Sequence, residues 1–237
     1  MRRAAFLLLA ATGCGRYADF ALPAPSGNPP HSIRWESAAA PVLSRGGAGA
    51  WDGVDALNPA IVRRESLYYN FYSGFDGKTW HTGLATSPDG RQWTRQGKVL
   101  SPQGWEGDHI AANGAAMLWR DEFLYWYQAG RPHRIALARS RDGRAWRRHG
   151  SAVLDTGPRG SWDERAAADP YVIRTGDYFY LYYLGEDRAR RQRLGVARSG
   201  DGVRWEKLRT NPVLEPGEAG SFDEAGLGEP AVWASHG

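Results

Sequence analysis

One seven-residue pattern occurs three times in this chain, and its spacing restricts the fold more than any other feature. Ser87-Pro88-Asp89-Gly90-Arg91-Gln92-Trp93 returns as Ser140-Arg141-Asp142-Gly143-Arg144-Ala145-Trp146 and as Ser199-Gly200-Asp201-Gly202-Val203-Arg204-Trp205. The tryptophans are 53 residues apart and then 59 (146 − 93; 205 − 146). Each copy follows a short apolar strand (Gly83-Leu84-Ala85, Ala136-Leu137-Ala138, Gly195-Val196-Ala197) and precedes a Val-Leu pair (Val99-Leu100, Val153-Leu154, Val213-Leu214) that is expected to form the outer strand of its blade. A period of this size, filled with short strands and Asp-Gly turns, points to the blades of a β-propeller. The turn itself reads as structural: Ser and Asp bond the local backbone, Gly takes the positive φ, and Trp packs between sheets.

Composition supports an all-β chain of one large domain. The 237 residues include 11 Trp and 11 Tyr, concentrated in strand-like runs at Ser66–Tyr72, Phe123–Tyr127 and Tyr178–Tyr183. Aromatic and β-branched residues favour pleated, half-buried surfaces. The net charge of +4 is modest, and the dense basic run Arg188-Ala189-Arg190-Arg191-Gln192-Arg193 lies between two strands, as a solvated hairpin loop would. A nucleic-acid partner, which would require a clustered basic face, is not expected.

The N-terminus reads as a targeting segment. Arg2-Arg3 precedes an apolar stretch, Ala4 to Ala11, too short to span a bilayer, and the segment ends at Cys14, the single cysteine. This is similar to a bacterial lipoprotein signal in which Cys14 is lipidated. It implies export to the cell envelope, a lipid anchor as the one membrane attachment, and no internal disulfide. Residues 15–32, rich in Pro, Ala, Gly and Ser, read as a flexible tether, with the propeller occupying 33–237.

A second marker recurs upstream of each aromatic run. Trp51-Asp52 leads to Asn58-Pro59, Trp105-Glu106 to Asn113-Gly114, Trp162-Asp163 to Asp169-Pro170, and Phe222-Asp223 to Glu229-Pro230. The aromatic stands seven residues before the polar one in three copies (58 − 51, 169 − 162, 229 − 222) and eight in one (113 − 105). The polar residue is expected to open the inner strand of its blade, which lines the propeller axis. Asn58, Asn113, Asp169 and Glu229 are therefore expected to converge at one pore mouth. Ile33-Arg34-Trp35 with Pro41-Val42-Leu43 looks like an outer strand that would close a ring. The chain ends soon after a fourth inner strand begins, so it is expected to be a truncated five-bladed propeller of about three complete blades plus partial ones.

Two carboxylates facing one cleft are what glycosidic bond hydrolysis requires, one as acid on the leaving oxygen and one as base or nucleophile. A carboxyl sharing a pore with another has its proton affinity raised, which suits an acid. Trp51, Trp105, Trp162 and Tyr171 could stack on sugar faces, although a tryptophan repeated once per blade more often packs between blades. His81, His109 and His133 do not share a metal-ligand spacing, and neither metal nor cofactor is expected. His109, with Asp108 beside it, lies on the loop that should reach the pore.

Together the Trp/Phe-Asp marker, Asp169-Pro170 or Glu229-Pro230, the aromatic strand and the Ser-x-Asp-Gly-x-x-Trp turn resemble the five-bladed propeller glycosidases of glycoside hydrolase families 43, 32, 68 and 130. The resemblance spans residues 33–237. It implies hydrolysis of O-glycosidic bonds in a poly- or oligosaccharide by a monomer, with Glu229 as general acid and Asp169 as the tuning Asp. The base position falls at Asn113, whose amide cannot take a proton from water, so Asp108, or Asp55 next to Asn58, is expected to substitute. Failing that, the amides Asn58 and Asn113 would serve a propeller that binds carbohydrate without cutting it, or the chain would be an inactive fragment.

Overall fold

A computed structural model of the chain describes residues 16–23, 34 and 36–233. Cys14 and most of the expected tether lie outside the described residues. The fold is an all-β partial propeller of three sheets, each rich in the expected aromatic strands. The first blade is β2 (Asp55–Arg64), β3 (Leu67–Phe75), β4 (Trp80–Ser87) and β5 (Thr94–Leu100). The second is β6 (Ala111–Trp119), β7 (Glu122–Ala129), β8 (Arg134–Ser140) and β9 (Arg147–Arg148). The third is β10 (Ala166–Thr175), β11 (Tyr178–Glu186), β12 (Gln192–Ser199) and β13 (Glu206–Leu208), to which β1 (Tyr17–Ala18) adds as a parallel edge strand.

The repeated turn is structural in all three copies. Ser Oγ accepts the Gly N–H (2.9, 2.8 and 2.8 Å) and Trp Nε1 donates to the Gly carbonyl (3.1, 3.1 and 3.2 Å). The Asp carboxylate accepts the two amides that follow that glycine, at 2.8–2.9 Å. Gly90, Gly143 and Gly202 hold φ of 72°, 74° and 73°, a region that a Cβ disfavours. The tryptophan then packs on the preceding blade: Trp146 meets Phe71 edge-on at 5.1 Å and Trp205 meets Trp126 at 6.2 Å. Two clusters of the core straddle the blade boundaries, one around Phe71, Tyr125 and Ala138 and one around Trp126, Phe179 and Leu181, and a smaller one around Tyr180, Val196 and Leu208 lies in the third blade.

The Trp-acid marker builds a second repeat. Asp52, Glu106 and Asp163 are buried, and each accepts a tyrosine hydroxyl from its own blade: Tyr72 at 2.8 Å, Tyr127 at 2.5 Å and Tyr183 at 3.0 Å. A basic side chain from the fourth strand completes each set, Arg95, Arg148 and Lys207 respectively. Lys207 is buried and Arg148 largely so, and removing Asp163 or Glu106 would strand that cation, whereas Arg95 is exposed beside Asp52.

Three expectations need correction. The Val-Leu pair belongs to a strand only in the first blade. In the other two the fourth strand starts directly after the tryptophan, and Leu154 and Leu214 make isolated bridges to Ile135 and Leu194. Pro41-Val42-Leu43 forms no strand; it lines an apolar groove with Trp93, while Ile33 and Trp35 are not among the described residues. Tyr17–Ala18, assigned to the tether, is instead docked on the third blade, where Phe20 meets Tyr180 at 6.1 Å and Arg209 pairs with Asp19.

Candidate active site

Asn58, Asn113 and Asp169 do not open their strands; each lies inside one, at a bulge. Pairing between the first two strands of a blade slips between Leu57 and Ala60, between Ala112 and Gly114, and between Ala168 and Tyr171. At these slips Asn58, Asn113 and Asp169 hold φ of 51°, 49° and 49°, and Glu229 in the fourth repeat holds 48°. A bulge re-aims the side chain that it carries, and a left-handed conformation at a non-glycine residue is uncommon enough to mark a special position. Four such residues at equivalent positions deliver four polar side chains to one place.

They meet in a cavity of about 410 Å³, lined by these four residues, the Pro or Gly after each, and Tyr171 among others. The four are also bonded to one another. Asn58 Nδ2 donates to Glu229 Oε1 at 2.8 Å, joining positions 171 residues apart. Asn113 Nδ2 donates to Asp169 Oδ1 at 2.7 Å, and the Glu229 N–H donates to Asp169 Oδ2 at 3.1 Å. Asp169 and Glu229 thus share the cavity, Asp169 half-buried and Glu229 exposed to it. Burial pushes the Asp169 carboxyl up to about 6; the Glu229 N–H opposes the rise, the Glu229 charge adds to it, and the Asn113 amide opposes it.

The other sequence candidates lie elsewhere. Asp108 and Asp55 do not line the cavity. Asp55 caps the Ala56 N–H at 2.8 Å, and Asp108 offers its carbonyl to Thr79 at 2.9 Å. His109 does not line it either; its ring stands 6.1 Å from that of His133, and burial lowers the proton affinity of both. Trp51 and Trp162 lie flat on glycines of their own blades: a Cβ on Gly74 would sit 2.2 Å from Trp51, and one on Gly185 would sit 2.2 Å from Trp162. Trp105 packs near Gly130 and beneath Arg134. Of the aromatic candidates, Tyr171 alone lines the cavity. Among the described residues no cluster of His, Cys, Asp or Glu could hold a metal ion. Gln128, buried and outside the cavity lining, bonds both Asn113 and Asp169; nothing in its place directly after the aromatic run Phe123–Tyr127 marks it in the sequence.

Comparison with known proteins agrees with the propeller fold. Residues 60–219 match the glycosyl hydrolases family 32 N-terminal domain. Uncharacterized protein Rv1502 of Mycobacterium tuberculosis (strain ATCC 25618 / H37Rv) is 28% identical over 185 residues, covering 72% of this chain and 60% of its own length. Zg3597, a family 117 glycoside hydrolase from Zobellia galactanivorans, superposes with a TM-score of 0.65 at 22% identity, over 74% of this chain and 62% of its own. The family 32 β-fructofuranosidase BmSUC1 of Bombyx mori gives a TM-score of 0.55 at 23% identity, over 64% and 34%. The chain thus spans about three fifths of the first relatives that it matches.

Proposed function

As a member of the family defined by the glycosyl hydrolases family 32 N-terminal domain, the chain carries a glycosidase-like propeller, and we propose that its cavity hydrolyses O-glycosidic bonds of a poly- or oligosaccharide. The observation that carries this is the pair of carboxyls, Asp169 and Glu229, facing one cavity and joined through the Glu229 N–H. A cavity of about 410 Å³ falls in the range of small-molecule sites, ~300–1,000 Å³. Glu229, the carboxyl exposed to the cavity and fixed at one oxygen by Asn58, donates its proton to the leaving oxygen as the glycosidic C–O bond breaks. Water adds to the anomeric carbon, and because neither Asp55 nor Asp108 lines the cavity, the proton it sheds passes to solvent or back to the Glu229 carboxylate. Asp169 sits against it, held by two N–H groups, and tunes the charge that develops at the sugar. Asn58, Asn113 and Tyr171 supply contacts to hydroxyl groups and to a ring face.

A panel of aryl glycosides tests this. Glu229→Gln is expected to lower kcat/KM on the cleaved member by roughly 10²–10⁴-fold, the usual worth of a positioned proton donor. Equal turnover by both proteins removes Glu229 from the chemistry. Glycan binding without turnover by either protein points instead to a carbohydrate-binding propeller. The Arg2-Arg3 leader and Cys14 support export and lipid anchoring at the cell envelope. Palmitate labelling that is lost in Cys14→Ala is the expected result, and labelling that persists excludes that anchor.

A further inference from the structure

The residue after each blade's tyrosine stands behind the cavity residue of the next blade. These residues are Ser73, Gln128 and Leu184, following Tyr72, Tyr127 and Tyr183. Ser73 Oγ accepts the Asn113 N–H at 2.9 Å. Gln128 Oε1 accepts the Asp169 N–H at 3.4 Å. Leu184 offers no acceptor; its Cδ1 would lie 3.1 Å from a Cβ on Gly228, so its side chain closes on the backbone just before Glu229. The Glu229 N–H turns instead to Asp169 Oδ2 at 3.1 Å. The change from Ser to Gln to Leu therefore alters how each cavity residue is held.

Gln128 has a second contact. Its Oε1 also receives Asn113 Nδ2 at 3.3 Å, while that nitrogen donates to Asp169 Oδ1 at 2.7 Å. An amide nitrogen carries two hydrogens, so both bonds form together. Gln128 is 7% exposed and does not line the cavity, so it acts on the site only through these neighbours. We propose that Gln128 is a positioning residue: it aims the Asn113 amide at Asp169, fixes the Asp169 backbone, and makes the two one unit. Leu184 extends that unit to Glu229 by leaving its N–H to Asp169. The groups against Asp169 are Asn113 and Gln128 from β6 and β7, both uncharged, and Glu229, the titratable one. The positioning role deepens the hydrolase assignment and depends on it only for its effect on turnover.

A carbon-13 NMR titration of the Asp169 carboxyl tests the proposal, with the signal assigned by its loss in Asp169→Asn. Gln128→Glu places a like charge within hydrogen-bond reach of Asp169 and is expected to raise the midpoint by one pH unit or more. An unmoved midpoint overturns the proposal. The link is also read by equilibrium unfolding of Gln128→Ala, Asn113→Ala and the double variant, which serves even where Gln128→Glu fails to fold. The change in unfolding constant of the double variant is expected to differ from the product of the single changes by a factor of about 2 or more. Equality with that product overturns the proposal. A shifted midpoint without cleavage of any glycoside by any variant supports the positioning role and rejects the hydrolase.

Discussion

Asp169 stands between opposing effects. Two N–H donors favour its charged form, yet burial outweighs them and holds its proton to about pH 6. The folded carboxyl is thus a weaker acid than the unfolded one, near 3.9. Its contribution to stability is present in full below about pH 4 and is lost as pH rises through about 6. Relative to Asp169→Asn, the wild-type protein is therefore expected to lose stability between pH 4.5 and 7.5, as read by urea unfolding. A difference that is flat across that window contradicts the burial account. The convergence of Asp169 with Asn58, Asn113 and Glu229 was legible in the sequence because the spacing from the Trp/Phe-acid marker repeats. Their bulges were not, since a slip in pairing depends on the neighbouring strand. Asp55 and Asp108 show the limit of proximity in sequence: both neighbour a cavity residue along the chain, yet one caps a backbone amide and the other serves through its carbonyl.

At the scale of the element, each blade is tied by a buried acid and phenol joined to a basic side chain, which is buried in the third blade and exposed in the first. Asp163→Ala would leave Lys207 and Tyr183 buried without their shared acceptor, at a cost of about 3–5 kcal/mol in urea unfolding. Asp163→Ala within ~1 kcal/mol of wild type would show that the network contributes little. The turn glycines separate backbone conformation from inter-blade packing, because φ is nearly the same in each. A Cβ at Gly90 meets nothing within 4 Å, whereas one at Gly202 lies 2.9 Å from Trp126. Both alanine variants carry the left-handed penalty, about 1–2 kcal/mol. Gly202→Ala is expected to cost about 1–3 kcal/mol more by overpacking. Equal losses would mean that the blade boundary yields without cost. The aromatic strands and Asp-Gly turns were readable from composition and period. The fourth strands were not, because Val-Leu pairs carry a strand signal that an isolated bridge satisfies. Tyr17–Ala18 escaped because a two-residue edge strand owes its place to the partner β13.

Across the whole molecule, two hydrophobic clusters bridge the first blade to the second and the second to the third. Such shared cores couple the blades, so tryptophan fluorescence and far-ultraviolet circular dichroism are expected to report one coincident unfolding transition. Two separated transitions would show blades that fold independently. Blade packing also explains why the site exists: three bulged residues come from three blades and Glu229 from the fourth repeat, and Trp146 and Trp205 pack those three blades against one another. The central claim is that Asp169 and Glu229 act together on a sugar held in that axial cavity. It is tested most directly by the crystal structure of Glu229→Gln soaked with an oligosaccharide that the wild type cleaves. The account predicts a sugar ring in the cavity, in contact with Asp169 and with position 229. Sugar bound elsewhere, with the cavity holding only solvent, would contradict it.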